Sequence, residues 1–380
     1  MQDCTAAFGR GLPESLGPLS CYDSLNVHFA SAAALGTIAP ETSETLLYMY
    51  LRLRPPKLLS CAFIVLALQA LCFADGGRTP QSKLVAVDND VHLHYLDFGG
   101  SGPALVFLPG LGSTAYIYSD FAPRFTDKFH VYALTRRGYG RSELTPTGYD
   151  LATRVEDLHG FLQAQGIGRA ILAGHSIAGD EMTAFALKYP SSVQTLIYLD
   201  AAYDRNDPRA PKPDPALMSK VRESWHGGEQ IYSSLEDRRE RMKRMYFGVW
   251  SDSQEKNMRE ISVVNADGSV SDRTPSWVDS AILEDSRKQR SRLIEVKSPA
   301  LLLFARQRLE NRPIKLDRAT RRSLIAEEDR YQKYFDGYVR GIRRSNFKIT
   351  VLQNTMHALF LEKPAEVAKL MRMFLEENAR

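Results

Sequence analysis

The stretch from residue 171 to 182 constrains this chain most, because a short apolar run ends at Gly174, meets Ser176, and then resumes as a helical pattern. Such a run reads as a strand, a sharp turn and a helix. A turn of that kind strains the backbone of its central residue and exposes the hydroxyl, so the residues two positions away must be small for strand and helix to approach. Those positions are Gly174 and Ala178; the second adds one methyl group, which the adjacent Gly179 is expected to relieve. The context agrees, since residues 182–189 form a good helix stopped by Pro190 and another apolar run follows.

Strands and helices alternate along the rest of the body. Residues 84–87 and 91–96 alternate as an antiparallel hairpin around Asp88, Asn89 and Asp90. Residues 104–108 and 131–134 add two strands, 149–165 a helix closed by Gly166, and 193–199 the sixth strand. After 201–298, which lacks strand character, the sheet resumes at 299–305, followed by a helix over 327–344, a strand over 347–352 and a last helix from Pro364 towards Glu377. This order implies an α/β architecture with parallel crossovers and a sheet covered on both faces. The segment 201–298 is too long for a loop. It holds a proline-rich start, a charged amphipathic helix around 235–249 and a helix with Pro275 at its first position, and reads as a helical cap that selects substrate. Within it, Asp204, Trp225 and His226 face either a pocket or the surface.

With 380 residues, 44% of them hydrophobic, the chain has ample material for a large core. A formal charge of +4, with no basic block interleaved with aromatics, argues against nucleic acid as a partner. Cys4, Cys21, Cys61 and Cys72 all lie at the start, which excludes disulfides, thiolate metal sites and a cysteine nucleophile from the body. His92 and His94 share one strand face, but no third ligand stands nearby, so packed or solvated histidines are expected there rather than a metal site.

Residues 1–48 carry no sustained pattern and are expected to be disordered, with Met49 the true initiator. Arg52, Arg54 and Lys57 then precede an apolar run over 58–73, shorter than the roughly twenty residues a bilayer span needs. Residues 49–74 therefore read as a secretory signal peptide cleaved after Ala74, giving an exported protein that meets the membrane only transiently.

Four turns in one order resemble the α/β-hydrolase superfamily over nearly the whole span from Lys83 onward. Residues 108–112 look like its oxyanion turn, 137–142 like its Arg-Gly-x-Gly-x-Ser loop, 174–179 like its nucleophile elbow, and 356–358 like its late histidine turn. Pro109 stands where many members have His, and Thr135 where many have Asp. The resemblance implies an α/β-hydrolase fold with core segments 83–200 and 299–380 and the helical cap inserted after the sixth strand.

A serine hydroxyl is too weakly acidic to attack unaided, so it needs a histidine base and a carboxylate to hold that histidine. Ser176 is the candidate nucleophile. His357 is the candidate base, since it follows the last strand and can reach across the sheet's carboxyl edge. Most of the superfamily places the acid after the strand at 299–305, where the first carboxylate is Glu310, whereas Asp200 resembles a variant with the acid one strand earlier. Asp200 is the favoured acid and Glu310 the alternative. The motif match makes the N–H groups of Leu111 and Ile177 the oxyanion donors. His175 is expected to point away from the serine and to have no catalytic role. The implied activity is that of an exported carboxylesterase- or lipase-like enzyme acting on a small acyl substrate without a cofactor. C–C bond hydrolysis, acyl transfer, or a non-catalytic ligand-binding module on the same fold are the alternatives.

Overall fold

Five strands are so apolar along their length that only a sheet buried on both faces suits them. They are β3 (Ala104–Leu108), β4 (His130–Leu134), β5 (Ala170–His175), β6 (Val193–Leu199) and β9 (Ala300–Arg306). The computed structural model describes residues 79–87, 91–226 (222–226 in backbone only), 231–288, 290–306, 308 and 315–378. The expected disordered start, the signal peptide and Glu310 fall outside them.

Together with β1 (Gln81–Ala86), β2 (His92–Gly99) and β10 (Phe347–Gln353), these strands form one eight-stranded sheet in the order β1-β2-β4-β3-β5-β6-β9-β10. Only the β1–β2 and β2–β4 pairings are antiparallel. Strand alternation sends Leu172, Tyr198, Leu302 and Phe304 to one face, against Phe161 of α1 (Leu151–Ala164) and Met182 and Phe185 of α2 (Ala178–Lys188). Ile171, Ile197, Leu301 and Leu303 face the other side. There they meet Tyr118, Phe121 and Phe125 from two short 3-10 turns, and Phe360, Met371 and Phe374 from near the end of the chain. Each such side chain, fully buried, contributes about 2 kcal/mol.

Between β6 and β9 lie the helices α3 (Pro215–His226), α4 (Leu235–Met245), α5 (Asp252–Glu260) and α6 (Ser276–Ser286). A small hairpin of β7 (Ser262–Val264) and β8 (Val270–Asp272) corrects the expectation that this region lacks strands. Three residues per strand are too few to produce a readable alternation. Pro275 is the N-cap of α6 rather than its first helical residue. After β9, α7 (Arg318–Gly341) starts earlier than the sequence pattern indicates, because the Asp317 carboxylate accepts the Ala319 and Thr320 N–H groups at 2.9 Å. The chain closes with β10, the short α8 (Leu359–Glu362) and α9 (Pro364–Glu377).

Candidate active site

Ser176 lies in the turn between the end of β5 and the start of α2, with φ at 55°, a left-handed conformation that a serine rarely adopts. Its N–H is held by Leu199 O at 3.3 Å. Strand and helix approach so closely here that a Cβ on Gly174 would sit 3.0 Å from the Ala178 methyl, so the methyl is tolerated because its opposite number has none. Gly179 plays a different part, since a Cβ there would fall 1.8 Å from Ala201 O.

Asp200 stands just past the end of β6, also left-handed with φ at 52°. Its N–H donates to Leu303 O at 2.8 Å. Its Oδ1 accepts from Ala305 N at 2.8 Å and from the Tyr203 hydroxyl at 2.5 Å. Its Oδ2 lies 2.6 Å from His357 Nδ1, a contact between residues 157 apart in sequence. The carboxylate is nearly buried while half of the His357 side chain is exposed. With Nδ1 on the carboxylate, Nε2 of His357 is the nitrogen left over. Ser176 and His357 line one cavity of about 340 Å³. No hydrogen bond joins their side chains among the described residues, and such bonds often tighten only once substrate is present.

The turn after β3 forms another wall of this cavity through Gly110, Leu111 and Ser113. Among the described residues no acceptor meets the N–H groups of Leu111 or Ile177. The turn is braced from below, where Arg136 donates to Pro109 O at 2.9 Å and to Glu181 at 2.7 Å. Arg154 reaches the same carboxylate at 2.6 Å. Burial pushes the Glu181 carboxyl up, but the two guanidiniums outweigh it and hold it below the usual range. Where many relatives of the superfamily carry Asp, the Thr135 hydroxyl accepts the Ala115 N–H at 2.9 Å and contacts His94 Nδ1 at 2.9 Å. His94 is buried with both ring nitrogens engaged, the other by Ser82 at 3.0 Å.

His175 does not point away from the site. Its Nε2 lies 3.1 Å from His357 O, its ring centroid is 4.5 Å from that of His357, and it lines the same cavity. A carbonyl only accepts, so Nε2 carries the ring proton. Burial, reinforced by the neighbouring His357, holds the His175 pKa well below 6.5 and keeps the ring neutral. Nothing in the sequence signals this contact, which spans 182 positions. Asp204 pairs with Arg290 at 2.5 Å and does not line the Ser176 cavity, and the side chains of Trp225 and His226 lie outside the described residues.

The remaining cavity wall comes from Met245, Tyr246 and Phe247 at the end of α4 and from Met356 and Ala358 beside His357. Four non-glycine residues among those described have φ between 51° and 55°: Ser176, Asp200, Phe247 and Asn354. The first and third line this cavity, the second holds His357, and the fourth begins the turn that delivers it. Strain of this kind costs about 1–3 kcal/mol per residue and tends to gather at functional sites.

A model of the alpha/beta hydrolase family matches residues 105–370, and the chain belongs to that family. Among curated proteins it is similar to 2-(acetamidomethylene)succinate hydrolase of Mesorhizobium japonicum, 33% identical over 101 residues that make up 27% of this chain and 36% of that protein. It is also similar to N-formylmaleamate deformylase of Pseudomonas putida, 29% identical over 170 residues, 44% of this chain and 59% of that one. The matches thus span roughly a third to three fifths of those relatives' own length. Among solved structures, E-2-(acetamidomethylene)succinate hydrolase superposes with a TM-score of 0.59 at 19% identity, covering 78% of this chain and 99% of that one, a likeness of fold.

Proposed function

We propose that this protein is a serine hydrolase that cleaves a carboxylic ester or a similar acyl compound through an acyl-enzyme, with Ser176 as nucleophile, His357 as base and Asp200 as acid. The observation that carries the proposal is the 2.6 Å contact of His357 Nδ1 with Asp200, which leaves Nε2 as the free base of a histidine sharing its cavity with Ser176. Nε2 takes the Ser176 proton as Oγ attacks the acyl carbon, and the oxyanion accepts from the N–H groups of Leu111 and Ile177. The imidazolium then protonates the departing alcohol, and a water molecule, activated the same way, releases the acid. Asp200 offsets the charge gained by His357, while neutral His175 adds no like charge beside it.

A fluorophosphonate probe tests this at pH 7 to 8. Labelling of the purified protein that vanishes in Ser176→Ala is the expected result, whereas an unlabelled protein would be a ligand-binding module instead. A second reading is hydrolysis of a C–N or C–C bond by the same three residues. The name of the P. putida relative, a deformylase, favours the C–N form of it. Turnover of simple aryl esters without an added acceptor supports the ester reading over acyl transfer. Residues 49–74 support export, checked by whether the secreted protein begins just after Ala74.

A further inference from the structure

The helix α4 ends in a way that its sequence should resist. Gly248 N–H bonds back to Lys243 O at 2.8 Å and Phe247 N–H to Arg244 O at 3.0 Å, the paired bonds of a Schellman ending. The left-handed position of that motif favours glycine, yet Phe247 occupies it with φ at 51° while Gly248 comes one residue later. A bulky aromatic is among the costliest choices there. Nothing about stopping the helix calls for it, because glycine or asparagine would stop it better.

What the conformation achieves is placement. Phe247 lines the cavity that holds Ser176 and His357, together with Met245, a residue that stays 40% exposed, and with Leu111 and Met356. An exposed thioether next to a strained aromatic forms an adaptable apolar wall. A carboxylate held there would lose its water against methyl, thioether and ring surfaces, at a cost far above any packing gain. A hydrocarbon chain would lose nothing.

We propose that Met245 and Phe247 form an acyl-chain subsite over Ser176, which makes the preferred substrate an ester of an uncharged, apolar carboxylic acid. The proposal rests on Ser176 being the nucleophile. Two 4-nitrophenyl esters of matched shape separate the readings: the 4-methylpentanoate and the half-ester of succinate, in which a carboxylate replaces the terminal isopropyl group. The full-length protein is expected to favour the neutral ester in kcat/KM by about 100-fold, each tenfold being about 1.4 kcal/mol of transition-state binding. Phe247→Gly and Phe247→Asn both suit the left-handed backbone. Each is expected to melt within about 2 °C of the parent or above it, since relief of strain offsets lost packing. Each is also expected to shrink the preference to roughly tenfold or less.

Equal or better turnover of the succinate half-ester overturns the subsite while leaving the Ser176 reading intact, as does an unchanged preference in both variants. Labelling of Ser176 without turnover of either ester likewise overturns the subsite. Absence of both labelling and turnover overturns the nucleophile and the subsite together.

Discussion

Asp200 accepts three hydrogen bonds through two oxygens, from Ala305, Tyr203 and His357. In the proposed triad only the last serves chemistry; the others fix the carboxylate in place. Asp200→Asn keeps the size and tolerates the left-handed backbone, so the fold should survive while the histidine loses its anionic partner. The expected outcome is a fall in kcat for ester hydrolysis of about 10³–10⁴-fold with unchanged circular dichroism. Near-normal activity would move the acid's role elsewhere, with Glu310 the first residue to replace. The two turns that bring Ser176 and His357 to one cavity are legible in the sequence because each has its own local signature. Asp200 could be read only as one of two carboxylates, because what distinguishes it is the Ala305 amide on the neighbouring strand's end, 105 residues away. The orientation of His175 towards the cavity is not legible in the sequence, because a residue beside Ser176 carries no local sign of a partner that arrives from the far end of the chain.

At the level of elements, the joint between β5 and α2 is the least forgiving place described. Alanine is a better helix former than glycine by about 1 kcal/mol, so propensity alone makes Gly179→Ala stabilising. The 1.8 Å approach to Ala201 O reverses that expectation, because neither helix nor strand end can yield without moving Ser176 or Asp200. A net loss of about 2 kcal/mol is expected, read as a drop of roughly 4–8 °C in melting temperature. A higher melting temperature would mean that the joint is looser than its geometry. The buried parallel strands and the proline-started α9 were legible because apolar runs and Pro364 act locally. The early start of α7 was not, since residues 318–322 contain three arginines that blur the apolar period, and its cap at Asp317 is a local bond that periodicity ignores.

For the molecule as a whole, histidines held neutral in the fold govern the response to acid. Burial, helped by the charge of Arg141, holds His94 down at about 4, and His175 is lowered as well. In the unfolded chain both take up protons near 6.5, so unfolding binds protons below that pH and stability falls as the pH drops towards about 4. Asp180 acts in the opposite sense: burial raises its carboxyl to about 6, so the folded chain keeps a proton that the unfolded chain releases above its ordinary 3.8. Two histidines against one carboxyl predict that the urea-unfolding free energy falls from pH 7 to pH 5. His94→Gln should flatten that slope, and a stability that holds or rises on acidification would contradict it.

The cavity around Ser176 is assembled from two sources: loops at the sheet's edge supply Ser176, His357 and the turn at Leu111, whereas Met245, Tyr246 and Phe247 arrive from the stretch between β6 and β9. On the proposed reading, reaction and recognition are therefore encoded in separable parts of the gene. Drift in the inserted stretch can retune what enters without disturbing how it is cut, so descendants of this sequence would be expected to diversify in diet before they diversify in trade.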